Sequence, residues 1–429
     1  MSSREEGSGL TKIENTNNYN ALSMSEKKLF RLDGKVQHYA WGGFHYIPAL
    51  LGIPESTEPS AEYWMGAHQS APSVIHTNGE KTTLDQLVKA NPEKVLGAKV
   101  WERFGELPYL LKILDVKDML SIQVHPTKVE AEKGFARENA AGIPLNASNR
   151  NYKDDNHKPE IMVALSEFWL LHGFLPEDKL KKVLQTVPEF SFLVPVFEKE
   201  GYYGLYKVVM EMPQEEVNVL LHPLAERVLP DYKAGKLHKS DPAFWTGRAI
   251  ENDPKGLDRL DRGIFSIYFF NIMQVQPGDA VFQDAGIPHA YLEGQNVELM
   301  ANSDNVLRGG LTPKHIDVPE LLKHTRFEAV HPKILQGDSV KGGLESIYNS
   351  PAPDFVVSKI TLKAGQRYEH TSEATEIMLV LEGDAVITGD DNQPVELQKG
   401  QSVVTFYKAA YHIQSQAGTI IYKASVPVK

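Results

Sequence analysis

Four residues of metal-binding type recur at places where a chain meets a pocket. Gln123 and His125 stand two apart in the stretch Ser121-Ile-Gln-Val-His-Pro126, inside an apolar run. Residues two apart on a strand project to one face, and the run from Leu110 to Val124 reads as a buried strand. Polar side chains turned together into an interior are costly unless something satisfies them. Glu160 follows Lys158-Pro159 at the head of the apolar segment Ile161 to Leu165, and His289 sits in "GIPHAY" just after another strand. Imidazole and carboxylate suit Zn²⁺, for which three protein ligands plus water are the usual catalytic arrangement. A neutral oxygen from Gln123 is a less common ligand and leaves the site near net charge +1, which favours an anionic intermediate. Gln123, His125, Glu160 and His289 together form a consistent set of candidate ligands for a metal ion such as Zn²⁺. Taken singly, each is an ordinary core histidine or strand-end charge; His172, His370 and His412 are read that way.

A second stretch, "NVELMANSDNVLRGGLTPKHID" (296–317), places Glu298, Asp304, Arg308 and Lys314 among apolar and small residues. These charges are too sparse and mixed for a solvated run, and Gly309-Gly310 lets the backbone approach a ligand closely. A salt-bridge network within the domain is the competing reading.

The elements that must position these residues are mostly strands. The chain has 429 residues, 41% hydrophobic and 24% charged, as expected of a globular protein with two or three domains. It has no cysteine, so disulfides and thiolate ligands are excluded. No apolar run reaches the length of a membrane span and no signal peptide opens the chain, so a cytoplasmic enzyme is expected. The formal net charge of -11 argues against nucleic acid and anionic membranes as partners, though not against a small anionic substrate. Residues 1–29, polar and rich in Ser and Asn, read as a disordered extension, with Met1 and Met24 both open as the start.

From Phe30 to about Phe174 strands and turns are expected, broken by a helix that Thr127 to Glu130 caps and that runs towards Phe135. A polar loop (146–160) then leads to Glu160. Between Pro176 and Asp261 the period changes: Leu180, Val183, Leu184 and Val187 follow helical spacing, as do Val217, Leu220, Leu221 and Leu224, with Pro223 bending or shortening the second helix. The β pattern resumes at Ile264, apart from a helix at Pro319 to His324. "VQPGDAVFQDAGIPHAYLEG" (275–294) is echoed by "LQKGQSVVTFYKAAYHIQSQ" (397–416), preceded by "EIMLVLEGDAVI" (376–387), read as strand, turn and strand. Two such units suggest two cupin-type jelly-roll barrels. The expected fold is thus mainly β with a small α-helical insert domain. The units are 30–175 with 262–320 (a metal-binding cupin domain), 176–261 (the insert) and 321–429 (a metal-free cupin-like domain).

The stretches "YAWGG", "AEYWMGAH", "LSIQVHP", "GFARENAAGIP", "NYKDDNHKPE", "PHAYLEG" and "ELMANSDNVLRGGLTPKHID" together resemble the type I phosphomannose isomerases, in that family's order, from about Val36 to Asp317. Length and the modest insert resemble the bacterial members. The resemblance implies a zinc-dependent aldose–ketose isomerase that interconverts mannose 6-phosphate and fructose 6-phosphate, monomeric and active in GDP-mannose biosynthesis. It also implies zinc on Gln123, His125, Glu160 and His289, and a pocket containing Arg308, Lys158, Glu298, Asp304, Lys314 and Ser121.

That chemistry needs a base near two carbons, a group for the developing oxyanion and a phosphate anchor. Arg308, always charged, suits the oxyanion or the phosphate. The base is sought in Lys158 and Glu298, with His157 a third candidate or an orienting group; the phosphate is left to Lys314, Arg308 or Lys158. Another metal-dependent cupin enzyme (a different sugar-phosphate isomerase or an iron oxygenase) and a two-cupin binding protein without catalysis are the alternatives. The second would have no need of Lys158, Glu298, Asp304 and Arg308 around a metal.

Overall fold

The computed structural model describes residues 27–77 and 80–428. Of the expected N-terminal extension, residues 1–26 lie outside these; Leu29 already belongs to a strand, Leu29–Asp33. The molecule is mainly β, with two large sheets and a cluster of helices. A ten-stranded sheet carries Lys35–Gln37, Glu62–Gly66, Tyr109–Val116, Gln123–Val124, Glu160–Ala164, Phe168–Phe174, Phe270–Val275, Ala280–Gln283, His289–Ala301 and Leu307–Arg308. A twelve-stranded sheet holds the C-terminal strands from Asp338–Val340 to Gly418–Ser425.

The strands between these sheets are apolar on both faces, as sandwiched strands must be. All eight residues of Tyr109–Val116 are buried. Leu111, Ile161, Val163 and Val297 of the first sheet share one core with Ile377, Leu379 and Tyr422 of the second, and the Tyr109 hydroxyl donates to the carbonyl of Thr375 at 3.0 Å. The sheets do not divide the chain where the sequence does. Leu29–Asp33 pairs with Ser402–Thr405, and Val74–Thr77 pairs with Leu29–Asp33, so these N-terminal strands extend the C-terminal sheet.

Several elements depart from expectation. The run Leu110 to Val124 is two strands, Tyr109–Val116 and Gln123–Val124, so Ser121 stands outside regular structure and His125 just past a strand end. Short helices at Tyr46–Leu51, Leu84–Ala90, Pro92–Leu96 and Ala98–Phe104 interrupt the β region. Gly263–Phe269 is a helix, and the strand begins at Phe270. Every residue of that helix is buried, so it has no polar face and no periodicity to read. The helix Gln214–Lys233 runs through Pro223 and Pro230 because its stripe of Val217, Leu221, Leu224 and Val228 is buried along its length. Glu376–Gly389 is one strand, not a hairpin; its ladder slips between Val380 and Glu382, beside Gly383 at φ +73°. A bulge, with glycine supplying the positive φ, does the work assigned to a turn. The capped helix is present as Lys128–Ala140, the Thr127 hydroxyl accepting from the Glu130 amide, and Val318–His324 is helical.

Candidate metal centre and active site

The strand His289–Ala301 is the spine of the site. Across an antiparallel pair, opposite residues present their side chains on one face. The register sets Lys112 and Met162 beside Glu298, and Glu160 beside Met300. Gln123 lies opposite His289 on one side and Arg308 on the other. His289 and Glu298 are separated by an odd number of positions, which on a regular strand would send them to opposite faces. The ladder slips by one residue between Tyr291 and Glu293, and this bulge brings both ends to the same face.

His125, Glu160 and His289 converge there, their ligand atoms all within 4.8 Å of one another. His125 Nε2 is 3.4 Å from Glu160 Oε1 and His289 Nε2 is 3.3 Å from Glu160 Oε2. Each imidazole is oriented from behind by a carbonyl at 2.9 Å from Nδ1, that of Asn305 for His125 and that of Ile287 for His289. A proton held on Nδ1 leaves the Nε2 lone pair free for a cation. Among the described residues His125 Nε2 is buried without a hydrogen-bond partner. Burial pushes the His125 imidazole down to about 4, against the pull of Glu160. Burial alone would raise the Glu160 carboxyl, but His125, Lys158 and His289 hold it well below the usual range. Two imidazoles and a carboxylate, with Gln123 opposite His289 in the ladder, form a donor set that fits a divalent cation of the zinc type.

Two charged residues that the sequence reading missed, Lys112 and Glu62, lie beside Glu298 on the same face. Lys112 Nζ is 3.2 Å from Glu62 Oε2 and 3.1 Å from Glu298 Oε2, all three side chains buried, and sits 5.0 Å from the Trp64 ring centroid. Burial would strip the proton from Lys112, but Glu62, Glu298 and Glu160 together raise its pKa. Burial raises the Glu298 carboxyl, offset in part by Lys112 and reinforced by Glu160 and Glu62. Among the described residues the buried Tyr291 hydroxyl has no hydrogen-bond partner. The signal was available: Lys112 is the one cation in the buried run "YLLKILDV", and a lone charge in such a strand needs a partner.

The other expected residues gather less evenly. Lys158 Nζ lies 3.4 Å from Glu160 Oε1. Asp304 Oδ2 is 3.4 Å from His68 Nε2, a residue the sequence reading did not single out. The His157 ring turns away from this group, its Nε2 meeting Asp354 Oδ2 at 2.9 Å. Arg308 is half-buried, and burial is the sole influence lowering its pKa. Lys314 is shifted down by burial and then by Arg308 and Lys153, so three cations share this corner. Ser121 is half-buried between the Leu120 amide, which donates to Tyr291 O, and the Ile122 amide, which donates to Gly310 O.

Residues 29–177 match the family described as phosphomannose isomerase type I, catalytic domain. The mannose-6-phosphate isomerase of Salmonella typhimurium is 40% identical over 379 residues, which span 87% of this chain and 93% of that protein. The chain belongs to the type I phosphomannose isomerases. The human mannose-6-phosphate isomerase is 32% identical over 422 residues, covering 88% of this chain and 93% of its own, so the bacterial phosphomannose isomerases are the nearer of the two groups. A crystal structure of a phosphomannose isomerase variant from Salmonella typhimurium superposes with a TM-score of 0.83 at 34% identity, covering 94% of this chain and all of that one. A zinc-bound mannose 6-phosphate isomerase crystal structure superposes at 0.81 and 35% identity with the same coverage.

Proposed function

We propose that the protein interconverts mannose 6-phosphate and fructose 6-phosphate, with one zinc ion held by Gln123, His125, Glu160 and His289. The observation that carries this reading is the buried His125–Glu160–His289 group, with an unpartnered Nε2, in a chain of this family. Bound zinc would polarise the sugar oxygens as a Lewis acid. Isomerisation moves a proton from C2 to C1 through an enediolate, while a second proton passes between the two oxygens. Glu298 is the base favoured by its setting, because its raised pKa brings a carboxylate closer to the operating range of a proton shuttle. Lys112 keeps that carboxylate from becoming a permanent acid, and Lys158, beside Glu160, is the partner for proton transfer between the oxygens. Arg308 and Lys314 carry the phosphate and the developing negative charge, with Asp304 and Ser121 for sugar hydroxyls. The orientation of His157 towards Asp354 favours a role in holding its loop over contact with substrate.

The two sheets read as two cupin jelly rolls with a helical insert between 176 and 261. Gly278 and Gly400 share a positive φ before four-residue strands, Ala280–Gln283 and Ser402–Thr405, which supports the echo. A structural role for the C-terminal roll is supported by its closed polar interior. Lys423 bridges Glu345 and Glu376, and among the described residues every buried side-chain polar atom lacking a partner precedes Ser303. The acidic, cysteine-free composition supports a cytoplasmic enzyme, and the family resemblance supports a monomer acting on a small sugar phosphate. Among the described residues no helix is long and apolar enough to cross a membrane.

A coupled assay of fructose 6-phosphate formation from mannose 6-phosphate, before and after chelation and zinc repletion, tests the whole reading. Turnover is expected to vanish on chelation and return with zinc. Zinc-loaded, folded protein that produces no fructose 6-phosphate would sink it, and activity that requires Fe²⁺ and oxygen would favour the oxygenase alternative.

A further inference from the structure

The metal centre is assembled on the ten-stranded sheet, yet one of its supports comes from the twelve-stranded one. Asp354 lies between the strands Glu345–Tyr348 and Val356–Lys363, and its side chain is only 2% exposed. Its two carboxylate oxygens lie 3.0 and 2.9 Å from His157 Nε2. A buried carboxylate is costly unless paired, and His157 is its one side-chain partner among the described residues. The neighbours Ala352 and Phe355 are packed in the core that the two sheets share, together with Ile161 and Val163 of the strand that Glu160 opens. The carboxylate therefore stands at a fixed place relative to that strand.

His157 heads the sequence His157-Lys158-Pro159-Glu160. The other anchors of this segment lie at the end of the strand His289–Ala301: the Asn156 side-chain amide donates to Asn302 O at 3.1 Å, and Pro159 O accepts from the Ala301 backbone amide at 3.1 Å. Pro159 has a fixed φ and restricts Lys158 before it, so His157 and Glu160 are joined by a stiff link. We infer that Asp354 is a positioning residue for the metal centre, holding His157 and through it the segment that delivers Lys158 and Glu160. This inference rests on the proposed zinc site but not on the identity of the sugar substrate.

The test compares Asp354→Ala and Asp354→Asn in the full-length, zinc-loaded protein, reading zinc release to a chromogenic chelator together with kcat and KM. The Asn oxygen still accepts from His157 Nε2–H, so this variant is expected to stay within about threefold of the parent, whereas Asp354→Ala releases zinc at least about tenfold faster. In Asp354→Ala, kcat falls by about tenfold and KM moves by less than about threefold, as expected when geometry rather than binding is lost. If Asp354→Ala does not fold, His157→Ala, on the partly exposed side of the pair, carries the test with the same expected zinc release. A folded Asp354→Ala that keeps zinc as the parent does would overturn the inference. So would an Asp354→Asn that releases zinc as fast as the Ala variant. Should the parent itself fail to isomerise mannose 6-phosphate, the functional reading falls while zinc release still decides the role of Asp354.

Discussion

Lys112 Nζ lies 3.1 Å from Glu298 Oε2, a buried ion pair on adjacent strands that faces the same side as the metal-binding group. Glu62 approaches the same ammonium at 3.2 Å, so one cation compensates two buried carboxylates. Removing it leaves both without a counter-charge, a change that costs about 3–5 kcal/mol in buried pairs. Lys112→Met is therefore expected to lower unfolding stability by that order in urea titrations. It also shifts catalysis. Burial already raises the Glu298 carboxyl, and loss of Lys112 raises it further. A base works only when ionised, so the acidic limb of the kcat/KM profile should move to higher pH. An acidic limb that stays in place in folded Lys112→Met would exclude Glu298 as the base.

Metal binding and turnover should separate between two other positions. Glu160 touches both imidazoles and has burial and three neighbours defining its charge. Glu160→Ala is expected to lose zinc and activity together. Arg308 lies opposite Gln123 but is paired with no carboxylate in the metal-binding group. Arg308→Ala should retain one zinc per chain and lose about two to three orders of magnitude in kcat, the range seen when one preorganised oxyanion donor is removed. Metal analysis alongside steady-state kinetics decides it; an Arg308→Ala protein that is folded but lacks zinc would contradict the split.

Gln123 and His125 were found because two polar side chains interrupt an apolar run, and Glu160 and His289 because their types complete a ligand set. The strand argument behind the first pair was only half right, since the strand ends at Val124 and it is the neighbouring register that places His125. Lys112 and Glu62 were missed because each forms its partnership across strands distant in sequence, and a single Lys in an apolar strand names no partner. The bulge at Tyr291 and Glu293 is equally silent, as nothing local in "HAYLEGQNVE" states that the ladder slips there. Gly263–Phe269 was read as a strand because a helix buried on all sides has no polar face to mark its period.

The corner formed by Arg308, Lys314 and Lys153 predicts a binding effect. Lys314 is exposed, and Arg308 and Lys153 both bear on its charge. An exposed cation that meets the phosphate before and during reaction contributes the same to ground state and transition state, which appears in KM alone. Lys314→Gln is expected to raise KM for mannose 6-phosphate about tenfold with kcat changed less than about twofold. The control is a substrate analogue lacking the phosphate, whose weak binding should be indifferent to the substitution. A fall in kcat with unchanged KM would move Lys314 from phosphate binding to the chemical step.

The closed network in the C-terminal sheet predicts a stability effect with a definite pH sign. Lys423 Nζ is 2.8 Å from Glu345 Oε1 and 3.7 Å from Glu376 Oε1, and Tyr368, Ser358, His370 and Tyr411 occupy further positions on the two carboxylates. Burial would raise both carboxyls, but Lys423 and these hydrogen bonds hold them below the usual value. Groups with depressed folded pKa values stabilise the fold above their unfolded value, about 4.3 for Glu, and lose that contribution as pH falls through the folded value. In Lys423→Met the cation is gone and burial dominates, so both folded values rise above the unfolded one. The variant is then penalised most near neutrality, by about 3–5 kcal/mol, and regains stability as the pH falls and the carboxylates take up protons. Urea unfolding of parent and variant at pH 7 and at about pH 4.5 measures the gap, which should narrow at the lower pH. An equal gap at both pH values would assign the loss to packing against Tyr368 and remove the charge network from the account.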